Sequence, residues 1–335
     1  MAGMDYQSKS VPFADTKFNG GLNSTAAPLH LKDNESSGLQ NIDFDRFGAI
    51  LKRNGYTTLS AVTSNSIGGD GLYWFEYDNS GTQTRYATRV YDGKLEKMDA
   101  VDGTWDDVTG TATITSANPC DFETFTNKLF VANGKNKPFF WDGGASAGTA
   151  HVPENLTSAK FVKTFQNYLF YGNVVVNSVY YPTRIYWSSL RDPTAWDSAD
   201  WIDVAKGDGQ PITGLHVLAN AAVIFKTRSI YTVFFTGDST IPFQMQKVAS
   251  PVGCTVPTSI QEVENGLVFF SNDGFYFFDG ITSTKISDRI TTTILGYNTT
   301  AFPNIPDAQE EALFNVPFFK PTLSPAWSPV PSSKV

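Results

Sequence analysis

The sequence is poor in the residues that build metal and redox sites. Its two cysteines, Cys120 and Cys254, lie far apart and match no metal-binding or redox spacing. None of the three histidines, His30, His151 and His216, has a His or Cys partner at ligand spacing. The sequence therefore predicts no metal site and no bound cofactor, and it gives no sign of an oxidising compartment.

Long apolar runs are also missing. A membrane-spanning helix needs roughly 18 or more apolar residues in a row, and no such stretch occurs. Residues 1–13 lack the apolar core and the cleavage-like site of a signal peptide. We expect a soluble protein that is made in the cytoplasm and does not insert into a membrane.

Basic residues are too few for a protein that grips nucleic acid broadly. The net charge is −8 and the pI is about 4.9, so phosphate is repelled rather than held. Lys52-Arg53 and Lys135 with Lys137 are small basic clusters that solvated surface explains. An acidic wall is still compatible with DNA that slides past it.

Catalytic motifs are absent as well, and we predict no catalytic residues. The chain has no Gly-rich phosphate loop leading into a helix and no Gly-x-Ser-x-Gly elbow. Asp102-Gly103-Thr104-Trp105 resembles the end of the Ser-x-Asp-x-Gly-x-Thr-Trp box of sialidases. The spacing is one residue short and the motif occurs once, so a hairpin turn explains it better than a glycosidase does.

One acidic loop could in principle bind calcium. Asp197, Asp200, Asp203 and Asp208 crowd residues 197–209, and calcium prefers oxygen ligands. Their spacing matches no EF-hand, so a solvated loop is the preferred interpretation.

Aromatic residues, in contrast, are abundant. The chain has 26 Phe, 14 Tyr and 7 Trp, which make up 14% of its residues. Together with many Thr, Val, Gly, Asn and Asp residues, this composition is typical of pleated sheets joined by tight turns. We predict an all-β protein.

A repeated pattern runs through the middle of the chain. Residues 124–130 read TFTNKLF and residues 164–170 read TFQNYLF. Weaker copies begin at Asn220 and Asn265, so that the Asn spacings are 40, 53 and 45 residues, and DGLYWFEY from Asp70 is interpreted as an earlier copy. Each copy places a turn-forming residue before an aromatic strand, as a hairpin requires.

A second aromatic strand follows each copy. Three of these strands end in an aromatic residue followed by Asp-Gly, at Asp92-Gly93, Asp142-Gly143 and Asp279-Gly280. Asp-Gly tolerates positive φ and is expected to close a tight hairpin. A third, outer strand follows, as in residues 94–101 and 283–290.

A unit of roughly 40–50 residues with up to four antiparallel strands is typical of a propeller blade. Five such units lie between Gly55 and Ile290, and a sixth could be assembled from the chain ends. We therefore predict an all-β β-propeller of about five to seven blades with extended N- and C-terminal arms. A β-sandwich with irregular hairpins is the alternative, and the duplicated motif argues against it.

The two ends differ from this repetitive body. We predict an N-terminal arm and docking strand in residues 1–56, a propeller body in residues 57–300 and a Pro-rich extension in residues 301–335. The extension contains seven prolines, which fix φ and remove donors. It cannot be a central strand, and we interpret it as an arm that packs on a neighbour.

Three segments carry a resemblance to a known family. The segments are residues 20–56, residues 184–196 and residues 266–290. Within the first segment, the resemblance lies in Gly20 to Asn23, Leu39 to Gly48 and Lys52 to Tyr56. In this order they resemble the β-propeller proteins of bacteriophage tails and head–tail connectors, including the nozzle or hub proteins of short-tailed phages. One departure is the Pro-rich sequence after Phe302, where relatives continue with more strands.

The resemblance implies a structural virion protein with no catalytic residues. It would be a subunit of a homo-oligomeric ring in the tail or head–tail connector, forming part of the channel for DNA ejection. Its partners would be further copies of itself, phage proteins on the portal or adaptor side, and proteins of the tail tip or fibres, while viral DNA passes without specific binding. The alternatives are a receptor- or carbohydrate-binding propeller at the tail tip and a hydrolytic propeller enzyme.

Overall fold

The computed structural model describes residues 20–44, 49–55, 69–99, 103–144, 147–149, 156–238 and 240–295. These residues divide into two compact units, one of residues 20–55 with 286–295 and one of residues 69–285. The predicted boundaries at 56 and 300 and the Pro-rich extension lie outside the described residues.

The first unit joins two distant parts of the chain. Its elements are β1 (Gly21–Leu22), a 3-10 turn (Pro28–His30), β2 (Glu35–Ser36), β3 (Ile42–Phe44), β4 (Ile50–Lys52) and α1 (Thr291–Ile294). β1 and β2 pair in parallel, and β3 and β4 form a hairpin. The backbone N–H of Ser24 donates to the carbonyl of Arg289 at 2.9 Å, and the Arg289 guanidinium lies 3.2 Å from a Glu35 oxygen. Residues 20–55 and 286–295 thus come together, but their described strands pair two by two, so a sixth blade stays a prediction.

The second unit contains five four-stranded antiparallel sheets within its described residues. Sheet I consists of β5 (Gly69–Asn79), β6 (Thr82–Tyr91), β7 (Lys94–Met98) and β8 (Trp105–Asp107). Sheet II consists of β9 (Asp121–Phe125), β10 (Lys128–Ala132), β11 (Phe139–Trp141) and β12 (Gly148–Thr149). Sheet III consists of β13 (Leu156–Phe165), β14 (Tyr168–Val176), β15 (Val179–Trp187) and β16 (Trp201–Asp203).

Sheets IV and V follow the same plan. Sheet IV consists of β17 (Ile212–Leu218), β18 (Ala221–Lys226), β19 (Ile230–Phe235) and β20 (Phe243–Lys247). Sheet V consists of β21 (Gln261–Val263), β22 (Gly266–Ser271), β23 (Gly274–Phe278) and β24 (Ser283–Lys285), with a 3-10 turn (Pro257–Ser259) before it. In every sheet each strand pairs with the next one along the chain. No helix among the described residues is long and apolar enough to cross a membrane.

The repeated Asn residues lie in the hairpins between the first and second strands. Thr126-Asn127 and Gln166-Asn167 form two-residue loops in which both residues have positive φ, as a type I′ turn requires. The hairpin interpretation of the TF-x-N-x-LF motif is therefore confirmed. The alignment of Asp70 with these Asn residues is wrong, because Asp70 lies inside β5 and the equivalent loop of sheet I is Ser80-Gly81.

The Asp-Gly prediction holds for one of the three sites. Asp92-Gly93 closes the two-residue loop between β6 and β7. The other two connections are longer, because Phe140 pairs with Gly148 and Phe278 pairs with Ser283.

Successive sheets pack face to face. Strand β10 shows how, because neighbouring side chains of a strand point to opposite faces. Leu129 packs towards sheet I, whereas Phe130 packs towards sheet III. The buried side chains at the four junctions include Phe75, Leu95, Leu129 and Trp141 (I–II), Phe130, Ala159, Leu169 and Tyr171 (II–III), Phe170, Trp187, Ile224 and Phe243 (III–IV), and Phe225, Ile230, Phe269 and Phe278 (IV–V).

Aromatic rings dominate these junctions. The ring of Phe243 in β20 lies 4.9 Å from that of Phe170 and 5.1 Å from that of Trp187, both in sheet III. At the next junction, the rings of Phe225 and Phe269 are 4.9 Å apart. Such edge-on and tilted pairs add to the stabilisation that burial of apolar area provides.

The first strands of neighbouring sheets approach one another closely, β5 near β9, β9 near β13 and β13 near β17. Gly71 in β5 permits this at the I–II junction, because a Cβ atom there would overlap the ring of Phe122. The predictions of an all-β chain and of sheets that hide their aromatic faces against each other are confirmed. Closure of the propeller and its blade number stay predictions.

The junction packing yields a stability prediction. Phe269→Ala removes a fully buried ring at the IV–V junction and is expected to lower the free energy of unfolding by about 3–5 kcal/mol. Denaturant unfolding followed by circular dichroism measures the change. The exposed Ile281 serves as the control, since Ile281→Ala should change the value by less than about 0.5 kcal/mol. Equal effects of the two substitutions would contradict the packing.

Candidate functional site

Polar side chains lie on the first strands of sheets I to IV, where those strands converge. Tyr73 comes from β5, Asp121 and Glu123 from β9, Lys163 from β13 and His216 from β17. We call these five residues the first-strand cluster. It brings together titratable groups from four sheets.

Lys163 is the centre of this cluster. Its ammonium nitrogen lies 2.9 Å from Asp121 Oδ1 and 3.6 Å from Glu123 Oε2, and it donates to the carbonyl of Phe122 at 3.0 Å. The second oxygen of Asp121 accepts a hydrogen bond from the backbone N–H of Val162 at 2.9 Å. The three donors of the ammonium thus face three acceptors of sheet II, and the side chain ties sheet III to sheet II.

Burial and charge shift the pKa values of the cluster in different directions. Burial raises the pKa of Glu123, although the Lys163 charge opposes this. Burial would lower the pKa of Lys163, but attraction by Asp121 and Glu123 outweighs it and the pKa is raised. Burial lowers the pKa of His216, and the Lys163 charge adds to the effect. The cluster therefore holds a charged lysine beside an imidazole that is kept neutral.

Tyr73 completes the cluster on the side of sheet I. Its hydroxyl lies 3.2 Å from Thr124 Oγ1 in β9, and burial raises the pKa of Tyr73. The phenol is thus a neutral polar link between the first two sheets.

Sequence reasoning missed the first-strand cluster, although a signal was present. Glu123, Lys163 and His216 each stand four residues before the Asn of their repeat, at Asn127, Asn167 and Asn220. Equivalent positions in stacked repeats lie side by side, so opposite charges there indicate ion pairs between sheets.

A second buried cation lies at the III–IV junction. Lys226 is fully buried, and its ammonium donates to Asp208 Oδ1 at 2.6 Å and to the carbonyl of Val204 at 2.9 Å. Burial would raise the pKa of Asp208, but its hydrogen bonds and ion pair with Lys226 outweigh this and lower it. The loop after β16 is therefore fastened to sheet IV.

The four aspartates of residues 197–209 do not converge on one point. Asp203 pairs with the Arg184 guanidinium through contacts of 2.8 and 2.9 Å, whereas Asp208 pairs with Lys226. An Asp197 oxygen accepts a hydrogen bond from the backbone N–H of Ala199 at 2.9 Å. The pKa of Asp200 is raised, mainly by burial and also by the negative charge of Asp197. Within the described part of the chain, no group of three or more His, Cys, Asp or Glu side chains is arranged to hold a metal ion.

The other residues considered from the sequence are not members of the cluster. Cys120 and Cys254 are free thiols, and burial raises the pKa of Cys254 to about 12. His30 is exposed in the first unit, while His151 and Asp102 lie outside the described residues. Residues 52, 53, 135 and 137, the basic clusters, are exposed.

Lys226 gives a test of the charged junction. Lys226→Met leaves Asp208 without its partner and is expected to cost roughly 1–3 kcal/mol of unfolding free energy, because the Lys226 side chain is fully buried while that of Asp208 is 25% exposed. Denaturant unfolding measures it. Lys206→Met, at a position that is 70% exposed, is the matched control and should change the value by less than about 1 kcal/mol. Recovery of stability in Lys226→Met combined with Asp208→Asn would confirm that the unpaired carboxylate is the cause.

His216 gives a test based on pH. Its pKa in the folded chain is lowered, so the unfolded chain binds a proton more readily and stability falls as pH drops through about 6.5. His216→Gln removes this contribution. Thermal melting between about pH 7.5 and pH 5 should show a shallower loss of Tm in the variant than in the original chain. Parallel losses would refute the buried, neutral imidazole.

Comparison with known proteins identifies the family. The profile of the family described as "Bacteriophage P22 Gp10, beta-propeller" matches residues 51–302. A search of curated proteins finds no significant match.

Solved structures show weaker likenesses. The extracellular domain of the hybrid two component system BT4673 from B. thetaiotaomicron has 10% identity and a TM-score of 0.46, and the alignment covers 73% of this chain and 32% of that one. The domain described as part of a one component system BT4673 has 9% identity and a TM-score of 0.43, with 64% of this chain and 27% of that one covered. The computationally designed Ika8 protein has 11% identity and a TM-score of 0.37, with 64% and 72% covered. This chain thus spans about a third or less of the length of the two bacterial domains.

The predicted resemblance to phage tail propellers is confirmed by the family profile, which covers most of the chain and includes all five sheets. The chain belongs to the bacteriophage P22 Gp10 β-propeller family of phage tail proteins.

Proposed function

We propose that the chain is a subunit of a homo-oligomeric ring in the phage tail or head–tail connector, and that the ring forms part of the channel for DNA ejection. The family match over residues 51–302 carries this proposal. Membership of the family makes the chain a structural phage tail protein and a component of the virion. A structural family also points to a role without catalysis.

The charge of the chain supports a channel function. Each copy carries a net charge of −8, and the fields of copies arranged around one axis add together. A lumen of the same sign as the DNA phosphates would make few lasting contacts with them. DNA could then pass without specific binding.

The first-strand cluster supports a channel between subunits rather than through one subunit. Lys163, Asp121 and Glu123 form ion pairs where the first strands converge. In a closed propeller, side chains on the converging first strands would fill the central channel. The DNA path is then bounded by several copies, and the further partners would be proteins on the portal or adaptor side and at the tail tip or fibres.

Exposed aromatic rings keep a receptor-binding role as the second candidate. Trp74 and Tyr180 are each 57% exposed, and Trp201 is 37% exposed beside the Arg184 guanidinium. Exposed aromatic rings have an apolar face on which a sugar ring could stack. Binding to a glycan array, lost in Tyr180→Ala, would favour this candidate over the ring.

Oligomer size tests the ring directly. The purified full-length chain should form a discrete ring-sized oligomer in sedimentation velocity, and the same fraction should show rings by negative-stain electron microscopy. A single discrete size is expected because a heterologous interface that closes on itself fixes the number of copies in the ring. A monomer at every concentration and salt condition, together with absence of the chain from purified virions by mass spectrometry, would refute the proposal.

A further inference from the structure

Sheet I has one face that packs on no other described sheet. Tyr73, Phe75 and Tyr77 of β5 point towards sheet II. The alternate residues Leu72, Trp74 and Glu76 point the other way, because side chains of a strand alternate between its faces. They and their cross-strand neighbours on β6 to β8 are called here the outer face of sheet I.

Two large apolar side chains of this face are open to solvent. Leu72 is 66% exposed and Trp74 is 57% exposed, and they are neighbours on the same face of β5. Exposed tryptophan on a rigid sheet is typical of protein interfaces, where Trp, Tyr and Arg supply most of the binding energy.

The charges of the outer face are nearly balanced. Arg85 Nε lies 2.9 Å from Glu76 Oε1, Arg89 Nε lies 2.7 Å from Glu96 Oε2, and Lys94 lies 3.1 Å from an Asp107 oxygen. These three pairs, Glu76–Arg85, Arg89–Glu96 and Lys94–Asp107, join neighbouring strands and sum to zero charge. Asp78, the next outward residue of β5, leaves the face with a charge of −1. The whole chain, in contrast, carries −8.

This balance selects the kind of partner. Two copies of an acidic chain repel each other over most of their surfaces. A nearly neutral face with exposed apolar groups reduces that repulsion and gains free energy from burial. The ion pairs of this face join strands of one sheet, whereas Lys163 and Lys226 pair with groups outside their own sheets. The pairs of the outer face can therefore stay formed when a partner covers it.

We propose that the outer face of sheet I is the surface through which one copy of the chain contacts the next. The partner is a second copy, and the contact is heterologous, so that Leu72 and Trp74 meet a different surface of that copy. The inference rests on the proposed ring and names the face that builds it.

Charge insertion tests this face against matched positions. Leu72→Glu and Trp74→Glu are expected to weaken self-association at least tenfold in sedimentation velocity, whereas Trp74→Phe keeps it. The controls are Tyr180→Glu and Ile241→Glu, at positions 57% and 64% exposed, which should assemble like the original chain. Unchanged melting temperatures show that all variants fold.

A photo-crosslink identifies the occupant. Benzoylphenylalanine replaces Trp74 in a mixture of ¹⁴N- and ¹⁵N-labelled copies, and peptides that join the two isotopes show contact between copies. Crosslinks confined to one isotope would place another segment of the same chain on this face and overturn the inference.

The outcomes separate the two proposals. If the original chain forms rings and the Glu variants at 72 and 74 do so equally well, the ring stands and the assigned face is wrong. The assigned face is also wrong if the controls lose assembly to the same degree as those variants. If the original chain never associates, both the ring and the interface are refuted.

Discussion

Burial of aromatic side chains between neighbouring sheets is the interaction on which the rest of the structure depends. A four-stranded sheet such as sheet IV is apolar on both faces, with Ile224 directed towards sheet III and Phe225 towards sheet V. Alone in water, such a sheet would expose both faces. Stacking removes both from water at once, and it accounts for a chain in which aromatic residues make up 14%.

The same stacking explains why charged side chains are found at the junctions. Lys163 extends to carboxylates of the preceding sheet, and Lys226 extends to a carboxylate and a carbonyl of the loop after β16. An ion pair with fixed hydrogen bonds is fully formed in only one alignment of the two sheets. The lysines thus favour that alignment, and the rings supply most of the burial of apolar area.

Much of the fold could be predicted from the sequence because its signals are local. The hairpins at Asn127 and Asn167 follow from turn residues between aromatic runs, and the structure has them there. Asp70 is misaligned because an Asp before an aromatic run does not distinguish a turn from a strand interior. The first-strand cluster escapes prediction because its ion pair joins residues about 40 positions apart, and Asp121 and Lys163 taken separately look like solvated charges. The exposure of Trp74 could not be predicted from the sequence either, because it depends on sheet I being the first of the described sheets and packing, among these, only on sheet II.

The order of strands has a consequence for biosynthesis. Each sheet is made from consecutive strands, so a nascent chain can complete sheet I and then dock each new sheet on the one that has just left the ribosome. The first unit cannot follow this order, because Ser24 and Glu35 bind Arg289, which is synthesised after all five sheets. Residues 20–36 therefore remain without those partners throughout translation of the second unit, and their pairing with Arg289 is the last of these folding steps.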